Sequence, residues 1–153
     1  MFSFNDKLRN LLLDQGWDGS FSSPVLQIRS GSRPTDAEGS HTGALLCEVA
    51  ITTGTSGLFA AATSGTKISA GTWQGTAVAA GTPTWFRLME SGDSGTATAT
   101  TPRLDGDIGI AGSLADLILA TNTVALDDVV TINNFYVGHG DVAVEARAYG
   151  TGT

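Results

Sequence analysis

The side chains of this sequence that could do chemistry are few. Ser94 lies in the run "ESGDSGTA", residues 90–97, with an aspartate before it and glycines on either side. A serine becomes a nucleophile when a base lies within hydrogen-bond reach and an acid orients that base. The bases on offer are His41, in "GSHTG", and His139, in "VGHGD", both in glycine-flanked loops. Asp105 and Asp107 stand two apart, the alternation of a strand, and clustered carboxylates are what hard cations bind. Cys47 is the single cysteine, set in "ALLCEVAI" among apolar neighbours.

None of these groups builds a complete constellation by its spacing. Gly92-Asp93-Ser94-Gly95 resembles the run around the nucleophile of trypsin-like proteases, but Thr96 stands where that family continues with glycine. "GSHTG" lacks that family's Ala-Ala-His-Cys setting, and 153 residues are too few for its two barrels. The expectation is an exposed turn, because Asp and Gly supply side-chain hydrogen bonds and positive φ in tight turns. Asp105 and Asp107 lack a calcium-loop pattern and read as the polar, water-facing side of a strand. Cys47 reads as a small core residue, and its spacing from the histidines suits no zinc site. "GDIGIAG" is glycine-rich without the spacing or lysine of a phosphate loop. The expectation is no catalytic residue, no metal and no cofactor.

Composition narrows the class. Twenty glycines, a low charged fraction of 15% and abundant Thr, Ala and Ser suit short strands joined by tight turns. A net charge of −7 with scattered Lys and Arg argues against nucleic-acid binding. One cysteine forms no internal disulfide, so stability rests on packing or assembly. No run has the length of a membrane span, and the start lacks the apolar stretch of a secretion signal. The expectation is a protein made in a cytoplasm, without a membrane partner.

The elements that must position these residues follow from periodicity. Residues 3–15 predict a short helix, capped by Ser3 or Asn5 and stopped by Gly16. Phe4, Leu8, Leu11 and Leu12 form its apolar face, which must pack on something because so short a helix is unstable alone. Alternation then sets in. "PVLQIRS" places Leu26 and Ile28 on one face, and "ALLCEVAI" aligns Leu45, Cys47, Val49 and Ile51. "TPTWFRLME" puts Trp85, Arg87 and Met89 opposite Phe86, Leu88 and Glu90. "GTATATTP" predicts a strand joined to it by the "ESGDSG" turn. "RLDGDIGI" sets Leu104, Ile108 and Ile110 against the aspartates, and strand is favoured for Leu117 and Leu119. "DDVVTINNFYVG" aligns Val129, Thr131, Phe135 and Val137, and "DVAVEARAYG" alternates after it, before a frayed "TGT" tail. Eight to ten strands predict an all-β antiparallel sandwich or jelly-roll-like fold with an N-terminal helix. The division expected is a helical arm, 1–16, and one β domain, 17–153.

The order of segments resembles a group of small β-rich virion proteins of tailed bacteriophages. It runs "FNDKLRNLLLDQG", "LQIRSGSRP", "GALLCEV", "GTPTWFRLMESGDSG", "LDGDIGIAGSLADLIL" and "TNTVALDDVVTINNFYV", most of the chain. That group has an "LRN…LD" helix, a Leu-x-Ile-Tyr-x-Gly-x-x-Pro strand, a Thr-Trp-Phe-Arg strand, an Asp-Gly-x-Val-Gly strand, Ala-Asp-Leu-x-Leu and a Val-Thr-Val strand. Arg29 stands where Tyr is usual, and "DVAVEARAYGTGT" extends past the usual end.

The resemblance implies a non-enzymatic capsid decoration (cement) protein on the outer surface of the head, assembled in the host bacterial cytoplasm. Its implied partners are the major capsid protein and copies of itself, as a trimer. In that reading Phe4, Leu8, Leu11, Leu12 and Trp17 anchor the protein to its neighbours, and many shallow contacts add through multivalency. One alternative is a tail, collar or fibre component that touches host surface or glycan, with exposed rings near loops 31–43 or 52–65. The other is a small serine hydrolase, which requires His41 or His139 on Ser94.

Overall fold

A computed structural model describes residues 1–52, 58–64, 66–138 and 148–152. The order is β1 (Ser3–Phe4), α1 (Asp6–Ser20), β2 (Pro24–Arg29), β3 (Leu45–Thr52), β4 (Thr66–Ile68) and β5 (Thr72–Thr76). There follow β6 (Trp85–Glu90), β7 (Arg103–Ile110), β8 (Leu117–Leu119), β9 (Val129–Asn134), β10 (Tyr136–Gly138) and β11 (Ala148–Gly152). Among the described residues the chain is all-β and sandwich-like, as the alternation predicts, with two short helices that meet at Gly16 near its start.

Among the described residues one sheet holds nine strands in the order β1-β7-β6-β2-β3-β5-β9-β11-β8, and β8 pairs back onto β7. The ladder therefore closes, with β1 alone lying outside the ring. Closure removes the long free edges that an open sheet must protect. Most pairings are antiparallel, but β8 runs parallel to both neighbours, β7 and β11. β4 and β10 form a separate two-stranded sheet.

Register decides which side chains face the interior. Leu26 pairs with Leu88 and Val49, Ile28 with Phe86 and Cys47, and Leu88 with Leu104. All of these are buried in a single apolar cluster that extends to Trp73, Val130, Ile132 and Phe135. Within it Trp73 stacks on Phe135 at 5.3 Å, and Phe86 meets Phe135 edge-on at 5.7 Å. Such ring pairs add to the stabilisation that burial alone provides. Cys47 belongs to this cluster, and burial, aided by Glu48, pushes its thiol up to about 11. It is inert core, as its context predicts.

Several sequence expectations are corrected. The helix starts at Asp6, not at residue 3, because Ser3 and Phe4 pair with Asp105 and Leu104 of β7. Gly16 ends that helix as expected: with φ of 71° and ψ of −175° it is non-helical, and the short helical turn beyond it runs to Ser20, whose Oγ donates to Gly16 O. "TATATT" is no strand, since β6 pairs directly with β7 and residues 91–102 form the connection. There Thr98 Oγ1 accepts from Thr100 N, the local bonding by which hydroxyl residues compete with a ladder. In β9 the interior set is Val130 and Ile132, with Val129 exposed and Thr131 half-buried. The alternation breaks where β9 ends, so Phe135 and Val137 are buried although they share Val129's parity. The "TGT" tail is tied in as far as Gly152, because β11 pairs with β9 and β8. "DVAVEAR", 141–147, lies outside the described residues, as does His139.

Candidate functional site

The expected anchor residues are placed by the N-terminal segment. Asn5 caps α1, its Oδ1 accepting from Leu8 N at 3.0 Å. The same oxygen accepts from Arg103 N, and Asn5 Nδ2 donates to Thr101 O at 2.6 Å. One buried amide thus joins helix start to sheet. Leu8 is fully buried in the main core, and Phe4, Leu12 and Trp17 pack against that core. Trp17 meets Phe4 edge-on at 5.7 Å and Phe59 at 5.8 Å. Past Gly16, Asp18 accepts from Phe59 N and pairs with Lys67. The boundary expected after residue 16 therefore separates no free arm. The apolar face of α1 is spent on its own chain, and Leu11 is left half-buried.

The second arrangement lies on the outer face of β2, β6 and β7. Register stacks Gln27, Arg87 and Asp105 in one row, and Arg29, Trp85 and Asp107 in the next. Arg87 and Asp105 are both fully buried and joined by two bonds, Nε to Oδ1 at 2.7 Å and Nη2 to Oδ2 at 2.8 Å. Burial pushes the Asp105 carboxyl above its ordinary value, against the pull of Arg87. The guanidinium of Arg87 also lies over Trp85, 5.5 Å from the ring centre. Asp105 is thus not a water-facing acid, contrary to the alternation reading. Asp107 keeps part of its surface exposed and pairs with Arg33 at 2.9 Å.

Two loops cover this face. Residues 31–43 supply carbonyls: Arg87 Nη1 donates to Gly39 O, and Arg29 donates to Thr42 O and Gly43 O. Residues 91–102 supply Asp93, which holds Arg103 through two bonds of 2.6 Å. Burial pushes Asp93 up, but Arg103, the Gly95 amide and the Thr101 hydroxyl together hold it below its ordinary value. The loops are stitched to each other. His41 N donates to Gly95 O at 2.8 Å, Thr98 N to Glu38 O at 2.9 Å, and Ala97 N to Ser40 Oγ at 3.0 Å.

This layer fixes the meaning of "GDSG". Asp93, Ser94 and His41 do come near one another, but not as a catalytic relay. Asp93 is committed to Arg103 and does not orient an imidazole. Ser94 is exposed and its Oγ bonds Thr96 Oγ1 at 2.9 Å. His41 Nδ1 is shut off from solvent and has no hydrogen-bond partner. Gly95 has φ of 74°, and a β-carbon there would overlap His41 Nδ1, so glycine is required twice over. Among the described residues no three His, Cys, Asp or Glu side chains are grouped to share a metal ion. No described helix is long and apolar enough to cross a membrane.

Sequence reasoning missed the arginine layer. Its signal was Arg87 inside "TWFRLM": a charge whose own-face neighbours, Trp85 and Met89, are large and apolar. No protein-family model, curated protein or solved structure matches the chain.

Proposed function

We propose that this chain is a non-enzymatic structural protein of a tailed-phage virion, a decoration protein on the outer head surface. The order of its segments carries the reading, since it resembles that group of virion proteins over most of the chain. A closed sheet with covered faces supports it, because such a body is a rigid block with no long edge to mispair. Ser94 without a bonded base among the described residues fits the same reading.

The anchor must then differ from the helix face. Val78, Leu126 and Val129 are large apolar side chains left exposed. They lie on adjacent backbones, where Asp127 N donates to Ala77 O and Thr76 pairs with Val129. In this proposal they meet the major capsid protein or the next copy in a trimer. The exposed rings that glycan binding requires find no support in the 52–65 segment, where Phe59 is fully buried.

Gold-labelled antibody against the protein, applied to intact virions, tests the placement. Label spread over the head is the expected result. Label confined to tail or collar, or absent from particles, overturns it. A Val78→Asp, Leu126→Asp double variant is expected to fold but to leave heads largely uncoated. Deleting residues 1–16 cannot test anchoring, because it removes Leu8 and β1 from the body itself.

A further inference from the structure

His41 is a titratable group that nothing above employs. Its backbone N–H ties the two covering loops together through Gly95 O. Its ring lies against the Gly95 backbone, which Gly95 can offer only because it has no side chain. The imidazole carries one proton when neutral, and Nδ1, without an acceptor, is the nitrogen that can stay bare. A second proton would go to Nδ1, an atom closed to water and facing that backbone. The charges around it are unfavourable. Arg29 of β2, Arg87 of β6 and Arg103 of β7 all act on the ring, against the single nearby carboxylate of Asp93. Asp93 has no capacity left. Its Oδ1 accepts from Gly95 N and Arg103, and its Oδ2 from Arg103 and Thr101. Asp105, on β7, is likewise taken up by Arg87.

We propose that His41 seated on Gly95 is an acid-released latch: uptake of one proton by His41 loosens loops 31–43 and 91–102 from the outer face of the sheet. Burial first, then the three arginines, lower the affinity of His41 for a proton, and Asp93 offsets this in part. The sign follows. The unfolded chain takes up the proton near the ordinary histidine value of about 6.5, before the folded chain can. Stability is therefore intact above that value and falls as the pH drops through it, until the folded form also protonates. Because this rests on the loops and the arginines alone, it stands or falls independently of where the protein resides.

Proton NMR of the His139→Gln variant, in which His41 is the one remaining imidazole, reads the titration directly. The expected midpoint lies below the ordinary value, and Arg29→Gln is expected to move it upward. Thermal melts of wild type are expected to drop by a few degrees between about pH 7.5 and 5.5. His41→Leu is expected to flatten that drop. A His41 midpoint at or above the ordinary value overturns the latch, as does a His41→Leu protein that keeps the wild-type pH step.

Discussion

Strands β2, β6 and β7 bury both of their faces, and the two burials have opposite chemistry. Toward the interior, Leu26, Ile28, Phe86, Leu88 and Leu104 pack without a polar atom to satisfy. Toward the loops, Arg29, Arg87, Arg103, Asp93 and Asp105 are held by a lattice of directed bonds. The apolar face degrades in proportion to what is removed, since dispersion and transfer are spread over many contacts. The charged face behaves as a set, because removing one member strands another without its partner. Two neighbours on one strand, Arg87 and Leu88, thus sit in different mechanical regimes.

The largest effect separates those regimes. Arg87→Ala leaves Asp105 buried and unpaired and is expected to cost about 3–5 kcal/mol in urea unfolding. Leu88→Ala on the same strand is expected to cost about 2–5 kcal/mol, set by the cavity that remains. The sharper contrast is rescue. An Arg87→Met, Asp105→Leu double variant is expected to recover most of the loss, because both charges go together. If it is no more stable than Arg87→Ala, the charged face is not a set. Asp93→Asn is smaller, about 1.5–3 kcal/mol, since Arg103 keeps its bonds to Thr96 O and Gly39 O. It also carries a pH signature. Asp93 is held below its ordinary value, so its contribution is present above about pH 4 and is lost as acid protonates it. Acid melts of Asp93→Asn should lack that component. Smallest is Ser94→Ala, which touches an exposed side chain and is expected to leave melting unchanged.

The same contrast explains what could be read from the sequence. Alternation in "PVLQIR" and "CEVA" located strands and named the inner face, because one buried face imposes a period of two; it failed at Leu45, where the register shifts and Leu46 takes the core position. Alternation says which residues share a face, not what covers it. Residues 31–43 and the "ESGDSG" turn are polar and rich in turn formers, so they read as solvent-facing, yet loop carbonyls and Asp93 are what the arginines need. Thr and Ala alternate in 96–100 for local bonding, which mimics a strand in one dimension. The helix face was found, but no periodicity distinguishes packing on one's own core from packing on a neighbour. The proximity of His41 to Gly95 joins positions far apart in the chain, and no local pattern reports it.

Ring closure sets an order of events during synthesis. β8 and β9 are bridged by β11, the last described strand, which pairs parallel to one and antiparallel to the other. Until residues 148–152 leave the ribosome, both flanking strands hold ladder groups that nothing in the chain has yet met. A nascent or prematurely ended chain would therefore be an open sheet with two sticky margins. Docking of residues 148–152 buries both margins in one step, so closure of the ring waits on that segment and not on the strands it joins.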